Sequence, residues 1–115
     1  MQAEQRDSAR RKLDKELRFY RLAANQRNCT NELLRTVRQV LGIPVAEMAR
    51  TLKLNRSVIF RLEKSEDRGT ISLNSMERVA SAMDCTLAYA IVPLRGKTLE
   101  DLADRRKWGK LLGLE

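Results

Sequence analysis

The run Gly42-Ile-Pro-Val-Ala-Glu-Met-Ala-Arg-Thr-Leu-Lys-Leu-Asn-Arg-Ser-Val-Ile-Phe-Arg-Leu-Glu63 decides the fold. Pro44 suits the first turn of a helix, where a missing amide hydrogen costs nothing, and Val45, Met48, Ala49 and Leu52 give that helix one apolar face. The pattern lasts two turns. Lys53 and Leu54 then form a tight connection, and Asn55 supplies an N-cap for a second helix whose inward face is Val58 or Ile59 together with Leu62. A short helix, a tight turn and another helix therefore occupy 45–64.

Upstream, Ala9, Leu13, Leu17, Tyr20 and Ala24 recur every three or four residues, which predicts a helix over 4–27 dressed otherwise in Arg, Lys and Asp. Thr30 and Asn31 cap a further helix carrying Leu33, Leu34, Val37, Val40 and Leu41, and Gly42 ends it. Downstream, the polar stretch 65–70 with Gly69 reads as an exposed loop, and 73–83 as a helix with Met76, Val79, Ala80 and Met83 facing inward. The nearly continuous apolar run 86–94, with Tyr89, Ile91, Val92 and the closing Pro93, predicts a strand of about six residues. A lone strand cannot satisfy its own hydrogen bonds. It pairs either with its copy in a second subunit, the simpler solution and hence a homodimer, or with another segment of the chain. Thr98 and Asp101 then form a capping box ahead of Leu99, Leu102, Ala103 and the basic Arg105, Arg106 and Lys107, with Trp108 and Leu111 anchoring a fraying tail.

These readings give a mainly α fold, a five-helix bundle with an N-terminal helix and one C-terminal β-strand. Its parts are a basic amphipathic helix at 1–30, the helix-turn-helix domain at 31–84, a dimerising strand at 85–94 and a helical tail at 95–115. A chain of 115 residues holds one core, and 43% hydrophobic but only 4% aromatic residues suit short packed helices.

The formal net charge of +8 favours a polyanionic partner; nucleic acid is the first candidate, although a membrane surface or a ribosome would use the same charge. Residues 1–30 carry 8 basic against 4 acidic groups, 31–63 carry 6 against 3, and 64–93 carry 3 against 4, so the excess lies ahead of and within the proposed reading unit. The chain has no histidine, and Cys29 and Cys85 lack metal-ligand spacing, which excludes a His-based metal site or triad. No cofactor or metal is expected, and both cysteines read as packing residues with free thiols. The first thirty residues are too charged for a signal peptide and no apolar run approaches a membrane span, which points to the cytoplasm. With no Gly-rich phosphate loop or clustered acid pair, the chain offers no catalytic constellation and is not expected to be an enzyme.

The run 42–63 resembles, without gaps, the helix-turn-helix of the XRE family of lambda-repressor-like DNA-binding proteins. Ala49 takes the small-residue position where the helices approach, Met48, Leu52, Leu54, Ile59 and Leu62 hold them together, and Arg61-Leu62-Glu63 matches the family's ending. Lys53 stands where the family usually has Gly, at a cost of roughly 1 kcal/mol for a left-handed Lys. Val45 stands where many members have a phosphate-contacting Gln, and Arg50 or Lys53 would compensate.

With the helix capped at Asn55, Arg56, Ser57, Phe60 and Arg61 face a groove. The resemblance implies that Arg56, Ser57 and Arg61 read bases in double-stranded DNA. Guanine is the expected target of the arginines, each good pair contributing roughly 1–3 kcal/mol of discrimination. Phe60 either folds back over the helix or meets a thymine methyl. Asn55, Arg50, Lys53, Lys64 and Arg68 are the candidate phosphate contacts.

Leu13-Asp-Lys-Glu-Leu-Arg18, Met83-Asp-Cys-Thr-Leu-Ala-Tyr-Ala-Ile-Val-Pro93 and Leu99-Glu-Asp-Leu102, together with the helix-turn-helix, resemble the family called mobile mystery protein A. The resemblance implies a cytoplasmic regulator encoded beside a Fic-domain protein, mobile mystery protein B, in a toxin–antitoxin-like arrangement. A possible Fic-domain partner would be met through 4–27 or 86–94. Some Fic inhibitors place Ser or Thr four residues before a Glu, and no Glu of this chain has that neighbour.

Overall fold

The computed structural model describes residues 1–25 and 32–113. Among these are seven α-helices and one 3-10 turn: α1 (Ala3–Glu16), α2 (Arg18–Asn25), α3 (Leu33–Val40), α4 (Val45–Leu52), α5 (Arg56–Arg68), α6 (Leu73–Ala82), the turn Leu94–Gly96 and α7 (Leu99–Leu111). The chain divides into two compact units, Cys29–Ala88 and the combination of Met1–Asn28 with Tyr89–Glu115. The mainly α class follows directly. The single helix expected over 4–27 is instead two, because Leu17 closes α1 at φ −85, ψ −2 before α2 begins.

In the unit Cys29–Ala88, four helices end the same way. Each chain reversal places one residue at positive φ, namely Gly42, Lys53, Gly69 and Asp84. The following amide then reaches back to the carbonyl five residues earlier: Ile43 N to Arg38 O, Leu54 N to Ala49 O, Thr70 N to Ser65 O and Cys85 N to Ala80 O, at 2.8–3.0 Å. These closures satisfy carbonyls that a helix end leaves without partners. Short helices thus fold back on one another around a core of Leu34, Met48, Ala49, Ile59, Val79 and Met83, with Val37, Ile43, Val45, Leu52, Leu54 and Leu62 packed against it.

Glu63 and Arg38 are buried at the edge of this core, at 6% and 8% exposure. Arg38 Nε donates to Glu63 Oε1 at 2.6 Å, Nη2 donates to Oε2 at 3.4 Å, and Nη1 donates to the Ile43 carbonyl at 3.1 Å. The pair ties α3 to α5 and gives each buried charge the partner it needs. The loop expected at 65–70 is mostly helix, since α5 runs to Arg68. This extension carries Glu66 to the start of α3, where its two oxygens accept from Leu33 N at 3.1 Å and Leu34 N at 2.8 Å. Glu66 thus caps α3 from a distance; Thr30 and Asn31, the caps expected from the sequence, lie outside the described residues. At the start of α6, Ser72 accepts from Ser75 N.

In the other unit, α1 packs against α7 and α2 against the 3-10 turn. Asp14 of α1 caps α7, accepting from Leu99 N at 2.7 Å and Glu100 N at 3.1 Å. The Thr98–Asp101 capping box completes that helix start.

The strand expected at 85–94 is absent: 86–93 carries no regular element among the described residues. An extended run becomes a strand only when a second run hydrogen-bonds to it, and one chain supplies none here. The five-helix bundle with a strand is accordingly replaced by the seven helices above. Trp108 and Leu111 are exposed and do not anchor the tail. Cys85 is an exposed free thiol rather than a packing residue, and Cys29 lies outside the described residues. No helix among the described residues is long and apolar enough to cross a membrane.

Candidate nucleic-acid interface

Lys53 creates the interface geometry. At φ 56, ψ 44 it occupies the left-handed region, and the chain reverses from α4 into α5 within three residues. Pro44 sits one residue before the helix, at the N-cap position with φ −67, ψ 152, and so leaves all of α4 free of proline. Val45 packs against the core, so its position offers no phosphate anchor. Ile59 is almost wholly buried at 1% exposure, with Val58 and Leu62 half-buried beside it. Ala49 and Met48 are buried on the facing side of α4, while Leu52 and Leu54 are half-buried.

This commitment of one face fixes the other. Arg56, Ser57, Phe60, Arg61 and Lys64 recur at helical spacing on α5, all exposed, and Arg68 continues the basic edge. Phe60, at 56% exposure, does not fold away over the helix. Arg50 and Lys53 are exposed at the end of α4 and in the turn.

Asn55 holds the N-cap position at φ −75, ψ 153 without making a side-chain capping bond. No Asn55 side-chain oxygen takes up the first amides of α5, and the positive end of the helix dipole lies beside Lys53 and Arg56. Every residue assigned to DNA from the sequence thus lies on the turn, on α5, or, for Arg50, at the end of α4.

Comparison with protein-family models, curated proteins and solved structures yields no match. The interface therefore rests on its own geometry. The pairing role of Glu63, read from the sequence only as part of the helix ending, and the capping role of Glu66 escaped the sequence reading although both residues position the interface. Glu63 follows Ile59 by four residues and so shares its inward face, which was the available signal. Nothing local marks Glu66, because its partners are amides more than thirty residues away. Among the described residues, no group of three or more His, Cys, Asp or Glu gathers as metal ligands would.

Proposed function

We propose that this chain is a sequence-specific double-stranded DNA-binding regulator of the lambda-repressor-like type, with α5 as its reading helix in the major groove. The observation that carries the proposal is the clean division of α5: Ile59 and Glu63 inward, Arg56, Ser57, Phe60 and Arg61 outward. A helix of this kind presents its N-terminal residues to base edges while the preceding helix crosses the backbone. Arg56 and Arg61 donate to guanine O6 and N7, Ser57 donates or accepts at a base edge, and exposed Phe60 meets a thymine methyl. Asn55, Arg50, Lys53, Lys64 and Arg68 hold phosphates and set the register.

Two copies would address half-sites about one helical turn apart. The exposed apolar side chains Tyr89 and Ile91 in 86–93 support pairing of that segment across a homodimer. The proposed setting is the cytoplasm, and the resemblance to mobile mystery protein A makes the chain's own operon the natural target.

A mobility-shift titration with DNA upstream of the gene, beside scrambled DNA of the same composition, tests the proposal. Preferential binding of the upstream DNA, lost on Arg56→Ala/Arg61→Ala with helicity retained, is the expected result. Equal affinity for both DNAs refutes it.

A second reading, neutralisation of a Fic-domain partner, draws on exposed Phe19 and Leu22 of α2 and on Ile91, at 91% exposure. Co-purification with the partner supports that reading, and failure to associate at micromolar concentration refutes it.

A further inference from the structure

Most of this protein's net positive charge lies outside the unit that holds the reading helix. Residues 29–88 carry 9 Lys and Arg against 7 Asp and Glu, whereas 1–28 and 89–115 together carry 14 against 8. In that second unit several carboxylates are spent on internal contacts. Asp7 and Glu100 both bind the Arg10 guanidinium, at 2.5 and 2.9 Å. Asp14 caps α7, and Asp101 accepts from Thr98 N. Arg10 and Arg21 are taken up in these contacts, and the cations beyond them face outward.

Four of these cations converge. An open cleft of about 510 Å³ between α1 and α7 is lined by Arg6, Arg106, Lys107 and Lys110, all exposed and none in an ion pair among the described residues. Arg106 and Lys107 stand four and three residues before Lys110 on α7, so Lys110 neighbours both on the helix surface. Asp104 is the remaining carboxylate in the cleft that is not bound to Arg10. The Asp14 cap and the Arg10 bridge hold the two helices together, so the row is attached to a fixed surface rather than to a loose tail.

We infer that the α1–α7 cleft is a phosphate-backbone site for duplex nucleic acid, distinct from the helix-turn-helix. It binds without reading sequence and adds its own share of the counterion release that drives association. A row of unpaired cations on a rigid helix pair matches a periodic polyanion. The exposed edge of α5 adds specificity and cations of its own, which the cleft variants leave in place. The inference does not depend on α5 entering the major groove.

The test is anisotropy titration of the full chain against a random-sequence duplex over a range of salt concentrations. Each phosphate contact contributes about 0.9 to the slope of log K against log salt. Replacing Arg6, Arg106, Lys107 and Lys110 together by Gln should lower that slope by about 3.6, equivalent to about a hundredfold less affinity loss between roughly 50 and 200 mM salt. The milder Arg106→Gln/Lys110→Gln variant should lower it by about 1.8, which serves if the quadruple variant loses helicity. Asp104→Asn should tighten binding.

Arg56→Ala/Arg61→Ala should keep the cleft's contribution to the slope. If α5 does not read sequence, no DNA is preferred, yet the slope change in the cleft variants persists. A slope unchanged in a folded cleft variant overturns the inference. So does loss of binding to vesicles containing phosphatidylserine with duplex binding intact, which would make the cleft a membrane contact.

Discussion

Replacing Glu63 by Ala removes the carboxylate that binds the Arg38 guanidinium through two hydrogen bonds. Arg38 is 8% exposed, so its charge would remain out of water with the uncharged Ile43 carbonyl as its remaining acceptor among the described residues. Breaking a buried pair by deleting one partner costs about 3–5 kcal/mol, since the stranded charge keeps its desolvation penalty. At about 0.05–0.15 kcal/mol per residue, a unit the size of Cys29–Ala88 has roughly 3–9 kcal/mol of stability in total. The substitution should therefore populate unfolded forms of that unit measurably. Urea unfolding followed by far-UV circular dichroism, with amide exchange at Ile59 as the local probe, reads the loss. Arg38→Met/Glu63→Leu should recover most of it, because removing both charges removes the penalty. A loss below about 1 kcal/mol in Glu63→Ala, or a double variant no better than the single one, would refute the reasoning.

Lys53→Gly should raise stability by about 1 kcal/mol in urea unfolding, because Lys53 sits at φ 56, while weakening DNA binding through the lost cation. Glu66→Ala should cost about 1–2 kcal/mol and speed amide exchange at Leu33 and Leu34, whose donors it now satisfies. The backbone hydrogen bond from Thr98 N holds the Asp101 carboxyl below its ordinary value of 3.8. Its contribution is present above that value and lost as pH falls through the depressed folded-state value. Amide exchange at Thr98, whose N–H Asp101 accepts, should therefore quicken in strong acid, and that change should be absent in Asp101→Asn.

The helix-turn-helix was legible because its signals are local. Pro44, the apolar spacing of Val45 to Leu52, the Lys53 reversal and Asn55 all act within a few residues; Pro44 alone falls one residue earlier than the pattern put it, at the N-cap. What escaped was long-range. The Arg38–Glu63 pair spans 25 residues, and Asp14 caps a helix that begins 85 residues later. Residues 65–68 read as a loop because they are polar, yet the same polarity lets Glu66 cap α3. The run 86–93 reads as a strand because it is apolar and β-branched in part, but strand formation requires a hydrogen-bonding partner that composition cannot supply. The helix over 4–27 was legible in its periodicity and not in its break, since Leu17 fits the apolar stripe and ends α1 all the same.

The central claim is that the outward edge of α5 reads base sequence. In-vitro selection from a randomised duplex library, run in parallel with the wild-type chain and Arg56→Ala/Arg61→Ala, tests it most directly. Guanine-containing half-sites about one helical turn apart should be enriched by the wild type and lost in the variant. A wild-type pool that stays random after repeated rounds, or enrichment that survives in the variant, would contradict the account.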